Sequence, residues 1–101
     1  MHIISERVLK EYGKANHLAK QPLADWIVLV KNEKWEKPSD VILFDNAADV
    51  LKNNRICFDI GGNKFRLIVK VEYKFGDVYI KFIGTHKEYD RIDANTIEMN
   101  Y

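Results

Sequence analysis

Three strand-like runs joined by two turn signals fill residues 55–90, and no other stretch constrains the fold of this chain as tightly. Ile56, Phe58 and Ile60 alternate with Arg55, Cys57 and Asp59, the period of two that a half-buried strand requires. Gly61-Gly62-Asn63-Lys64 follows, a hairpin loop whose glycines and asparagine tolerate positive φ. The next run, Phe65 to Tyr73, places Phe65, Leu67, Val69, Val71 and Tyr73 on one face and Arg66, Ile68, Lys70 and Glu72 on the other. Lys74-Phe75-Gly76-Asp77 predicts a second hairpin loop. Val78, Ile80 and Phe82 then alternate with Tyr79, Lys81 and Ile83. An antiparallel meander follows, with the long Phe65–Tyr73 strand at its centre.

The rest of the chain reads as cover for that sheet. His2-Ile3-Ile4 is a short edge strand. Ser5 caps a first helix, with Ile4 and Leu9 at the flanking staple positions. Val8, Leu9, Tyr12 and Ala15 recur at helical spacing, and Gly13 weakens the interior, so the helix ends near Asn16. Pro22 suits the first turn of a second helix, where its missing N–H is not needed. Leu23, Trp26, Ile27 and Val30 make one apolar face of that helix. The two helices form an antiparallel hairpin. Pro38-Ser39-Asp40 marks a turn. Val41 to Phe44 reads as strand or buried loop, and Asp45 to Leu51 as a single helical turn. The expected architecture is α+β, one domain over residues 1–101, with both helices on one face of the sheet.

Composition narrows the function classes. At 101 residues with 47% hydrophobic content, the chain can bury one modest core and is too apolar for a disordered protein. Cys57 is the only cysteine, which excludes an internal disulfide and a multi-cysteine metal cage. The apolar run Trp26–Val30 is too short to span a bilayer, and the first ten residues lack the apolar core of a signal peptide. A soluble cytoplasmic protein with no membrane partner is expected. The net charge is +1, but its distribution is uneven. Residues 1–54 carry eight basic and eight acidic side chains, whereas residues 55–91 carry eight basic and five acidic. Any cationic surface therefore belongs to the sheet.

With the helices on the apolar face, Arg66, Lys70 and Lys81 share the other one, with Arg55 nearby and Tyr79 as a stacking ring. That arrangement suits RNA; it also suits a solvated sheet with ordinary lysines. Thr85-His86-Lys87-Glu88-Tyr89-Asp90 follows the last strand and sharpens the choice. Cleaving RNA through its own 2′-hydroxyl needs a base for the hydroxyl proton, a cation for the phosphate and an acid for the departing 5′ oxygen. His86 can serve as base or acid, Arg66 offers a planar fork, and Lys87 and Tyr89 add charge and a hydrogen bond. The structural alternative is that His86 and Tyr89 merely cap the strand end.

IGGNKFRLIVKVEY and VYIKFIGTHKEYD, together with the opening MHIISERVLKEY, resemble the HigB toxins of bacterial host-inhibition-of-growth systems. The pairing of GGNKFRL with THKEYD carries most of the specificity, and the likeness is weakest across residues 34–54. The resemblance implies a RelE-like fold, two N-terminal helices on a curved antiparallel sheet. It also implies a metal-independent, cofactor-free mRNA endonuclease that acts on translating ribosomes. A helix-turn-helix antitoxin of the HigA type would hold it inactive. Arg66 stands where the family places a phosphate-binding arginine. His86, Lys87, Tyr89 and Asp90 stand in the motif after the last strand, and Asn63 and Lys64 in the hairpin loop. The implied catalytic set is His86, Tyr89 and Arg66. The implied RNA-binding set is Asn63, Lys64, Lys70, Lys81 and Lys87. The competing reading is a non-catalytic RNA- or protein-binding module on the same fold, using the Arg66-Lys70-Lys81 face.

Overall fold

The computed structural model describes residues 1–99. The elements in order are β1 (His2–Ile4), α1 (Glu6–Ala15), α2 (His17–Lys31), α3 (Pro38–Phe44), β2 (Asp49–Val50), β3 (Arg55–Ile60), β4 (Phe65–Glu72), β5 (Asp77–Thr85) and α4 (His86–Tyr89). The strands form one sheet in the order β1-β5-β4-β3-β2. The β3-β4-β5 meander is antiparallel and β4 is central, as the alternation predicts. β1 adds a parallel edge against β5, so the sheet is mixed at that border.

The apolar alternation sorts β3 and β4 as expected. Ile56, Phe58, Ile60, Leu67, Val69 and Val71 join one buried core with Leu23, Trp26, Ile27 and Val30 of α2. Trp26 meets Phe58 edge-on at 5.4 Å between centroids, a core contact and not a ligand platform. On β5 the expected alternation breaks. Ile68 pairs with Phe82 and Val69 with Ile80, leaving Lys81 as the extra residue of a bulge. The bulge shifts the phase by one, so Ile83 turns into the core beside Leu67 while Phe82 joins Ile68 on the other face. A bulge of this kind re-aims every side chain beyond it.

α1 and α2 run antiparallel. Glu6 at the start of α1 reaches Lys31 at the end of α2, 3.0 Å apart. Gly13 packs against Lys20, whose Cα would stand 3.1 Å from a Cβ at position 13. The glycine thus permits close helix approach. α2 begins at His17, so Pro22 lies inside the helix and not in its first turn. Pro22 cannot donate to the Leu18 carbonyl, and α2 continues through it without that bond.

Residues 35–54 depart furthest from the sequence expectations. The Pro38 turn and the Val41–Phe44 run together form α3, with Pro38 at its first position and Val41 buried. Trp35, Phe44 and Phe58 make an aromatic cluster beneath it, with centroids 5.3 to 6.3 Å apart. The expected helical turn at residues 45–51 is absent. Asp45 Oδ1 accepts the Ala47 N–H at 3.0 Å, a local turn that competes with helix, and Asp49–Val50 then pair with Cys57 and Ile56 as β2.

Candidate functional site

The sheet face turned away from α1 and α2 carries Arg55, Cys57 and Asp59 on β3, Arg66, Ile68 and Lys70 on β4, and Phe82 and Gly84 on β5. This face is divided. One half is covered by the C-terminal segment. Arg55, buried despite its charge, donates to the Ala94 and Ile97 carbonyls at 3.3 and 2.6 Å and to Glu98 at 2.6 Å. The same carboxylate holds Lys81 Nζ at 2.6 Å. Lys81 drives the Glu98 carboxyl below its usual range, with Arg55 assisting.

The other half is more open and is built around Arg66. Strand pairing sets Arg66 directly opposite Asp59 on one side and Gly84 on the other. Its Nε lies 3.2 Å from Asp59 Oδ1, and its Nη2 donates to Asn63 Oδ1 at 2.9 Å. The guanidinium carbon stands 5.8 Å from the centre of the Tyr89 ring, within reach of a cation–π contact. Gly84 lies inside β5 and provides space rather than a turn. A Cβ there would fall 2.6 Å from Phe82 Cζ and 3.1 Å from Glu88 Oε1.

α4 brings the second half of the site. Thr85 and Glu88 form a reciprocal capping box, which explains why THKEYD folds as one helical turn. The His86 N–H donates to the Lys64 carbonyl at 3.2 Å, fastening α4 to the β3–β4 loop. Tyr89 then reaches back over the sheet to Cys57. Burial raises the Tyr89 phenol above its usual value, and the neighbouring thiol raises it further, while Arg66 opposes. Burial likewise pushes the Cys57 thiol up to about 11, although the Tyr89 hydroxyl and Arg66 partly offset it. At neutral pH Tyr89 is therefore a protonated donor. His86 is about half exposed, with Nδ1 at 3.3 Å from Asp90 Oδ2.

Arg66, Tyr89, Asn63, Lys64, His86 and Lys87 thus gather at one end of the sheet. Asn63 spends its side-chain oxygen on Arg66. The His86 imidazole lies against Asp90, not Arg66. Lys64 and Lys87 are exposed and form no ion pair among the described residues. Lys70 lies along the strand and pairs with Glu72 at 3.5 Å, and Lys81 is committed to Glu98. Sequence reasoning missed three groups: Asp59, Cys57 and Glu98. Asp59 was within reach, since closing the Gly61–Lys64 loop as a hairpin sets Asp59 against Arg66. Among the described residues no three His, Cys, Asp or Glu side chains converge as a metal site, and no helix is long and apolar enough to cross a membrane.

Known proteins resemble this chain over most of its length. The sequence profile of a family described as "HigB_toxin, RelE-like toxic component of a toxin-antitoxin system" matches residues 19–92. The chain is 27% identical over 96 residues to the mRNA interferase toxin HigB of Escherichia coli strain K12, an overlap covering 93% of this chain and 92% of that protein. The mRNA interferases HigB of Escherichia coli O157:H7 and Shigella flexneri match with the same identity and coverage.

Proposed function

The chain belongs to the HigB family of RelE-like toxins, and from that premise we propose that it is an endoribonuclease that cuts mRNA on translating ribosomes in the cytoplasm. Translation stops as a result, and a helix-turn-helix antitoxin of the HigA type holds the activity in check. The observation that carries this reading is the setting of Arg66. Its guanidinium is aimed by Asp59 and Asn63, and the Tyr89 ring lies beside it at the mouth formed by α4 and the β3–β4 loop. A largely buried arginine fixed in this way suits a phosphoryl group whose negative charge grows during reaction. The relatives named mRNA interferase point to the same substrate.

The chemistry is transfer to the neighbouring 2′-hydroxyl. The 2′ oxygen bonds to phosphorus as its proton leaves to a base. The bond from phosphorus to the 5′ oxygen breaks, and that oxygen takes a proton from an acid. The products are a cyclic phosphate and a free 5′-hydroxyl. Asp90 at Nδ1 of His86 leaves Nε2 for the substrate, in position to exchange either proton. Arg66 stabilises the charged phosphoryl oxygens. The Tyr89 phenol, kept protonated by its surroundings, donates a hydrogen bond. Lys64 and Lys87 flank the mouth and hold the RNA backbone.

The test is purified protein, freed from antitoxin, in a translating extract with cleavage sites mapped on the message. Cuts that require both translation and Arg66 support the reading. Tight ribosome binding without any cut replaces it with the non-catalytic module.

A further inference from the structure

Away from the Arg66 face, α1 and α2 enclose a trough of about 390 Å³. Its floor is aliphatic: Leu9, Leu23 and Ile27 are buried beneath it, and Val28 on its wall is 60% exposed. A contiguous apolar surface rimmed by polar side chains is the pattern of an interaction site. Its rim is cationic. Lys10, Lys14, Lys20 and Lys31 surround it, and among the described residues Glu6 is the single carboxylate lining it. Glu6 is already shared by Lys10 and Lys31 at 3.2 and 3.0 Å. Among the described residues no ion pair engages Lys14 or Lys20.

We propose that this trough seats an acidic amphipathic helix of the neutralising antitoxin, an inference that rests on the toxin reading above. The shape and charge of the trough choose the occupant. A groove between two packed helices accepts the apolar ridge of a third, and four lysines against one glutamate call for carboxylates along its flanks. RNA fits poorly, because among the described residues no aromatic ring lines the trough and single strands bind by stacking as well as charge. A second copy of this chain fits poorly too, since a two-fold contact here would set lysines against lysines. The trough lies on the helix layer, whereas Arg66 and Tyr89 lie across the sheet. The antitoxin helix therefore anchors the toxin without filling its catalytic mouth.

The experiment titrates the purified antitoxin, the adjoining reading-frame product that relieves growth arrest, against wild type, Val28→Glu and Lys14→Glu/Lys20→Glu. Thermal melts report whether each variant folds, and free protein is assayed for mRNA cleavage in translating extract. Val28→Glu is expected to weaken the complex by roughly thirtyfold or more, the scale of an interface anchor. Each lysine reversal is expected to weaken it by roughly two- to fivefold, and less at high salt. Both free variants cleave as wild type does. The proposal falls if the folded Val28→Glu variant binds antitoxin within threefold of wild type. It falls equally if the lysine reversals impair ribosome binding alone, or if Val28→Glu only dissolves a self-dimer. A wild-type protein that never cuts mRNA refutes the endonuclease reading, and the titration still decides the trough.

Discussion

Asp59 and Arg66 face each other across the β3–β4 ladder, with Oδ1 and Nε 3.2 Å apart. The carboxylate takes the one guanidinium nitrogen that points back along the side chain, and Asn63 takes Nη2. The arginine is thus oriented by the protein alone, and under the proposed function a phosphate would compete with neutral carbonyl acceptors for the outer edge. Arg66→Ala is expected to abolish growth inhibition while leaving the fold intact. Arg66→Lys restores little, because one ammonium cannot satisfy Asp59 and a phosphate together. Asp59→Ala leaves the cation but not its aim, and cleavage drops roughly ten- to a hundredfold while ribosome binding persists. Growth assays at matched expression and single-turnover cleavage separate these outcomes. Unchanged toxicity of Arg66→Ala removes this residue from the site.

The Glu98 clamp makes the C-terminal segment sensitive to acid. Lys81 and Arg55 hold its carboxyl below the ordinary 4.5. A depressed carboxyl contributes stability that is present above 4.5 and is lost as pH falls through the lowered folded value. Glu98→Gln is expected to flatten the acid limb of the stability curve below 4.5, read by urea unfolding across pH. Arg55→Met removes the donor for the Ala94 and Ile97 carbonyls and costs about 1–3 kcal/mol. Amide exchange across residues 93–98 rises in the same variant. Equal exchange in Arg55→Met and wild type contradicts the clamp.

The sheet was legible because alternation over β3 and β4 is long and unbroken, and because each hairpin is announced by glycine. The β5 bulge was not legible: nothing local in VYIKFIG marks Lys81 as the extra residue, and only pairing with β4 reveals it. Pro22 misled for a related reason, since nothing local shows that α2 extends back past it to His17 despite the missing donor. Residues 35–54 were obscure because α3 is one short element whose identity comes from packing on Trp35 and Phe58. For the site, the motif residues at Arg66 and in THKEYD could be named from sequence. Their supports could not, since Cys57 meets Tyr89 only through tertiary contact and Glu98 meets Arg55 across 43 residues.

Cys57 supplies a reporter for the floor of the site. Its thiol is buried and pushed up to about 11 from an ordinary 9.0. A raised value means the protonated thiol is favoured in the fold. The contribution is full below pH 9 and fades as pH climbs toward 11. The native protein should resist iodoacetamide at pH 7.5, because thiolate and access are both lacking. Labelling should appear only with unfolding, or in Tyr89→Ala, where the ring no longer covers the sulfur. Rapid labelling of folded wild type contradicts this placement.

His86 and Tyr89 decide between a nuclease and a binding module. They lie three residues apart on one capped turn, so their side chains share a helix face, and Tyr89 reaches Arg66 from it. His86→Ala is expected to slow cleavage by roughly a hundredfold or more, the scale of general acid–base help. Ribosome binding survives, because its charge comes mainly from lysines and Arg66. Asp90→Asn keeps a partner at Nδ1 without the charge, and is expected to lower the rate less. Tyr89→Phe keeps the ring over Arg66 and loses only the hydroxyl on Cys57. If Tyr89→Phe cleaves nearly as well as wild type while Tyr89→Ala does not, the ring holds Arg66 and the nucleotide. If both lose activity alike, the phenol takes part in proton transfer. Full cleavage by the His86→Ala/Tyr89→Phe double variant would leave Arg66 alone in the chemistry, and the proposed roles of both residues would have to be withdrawn.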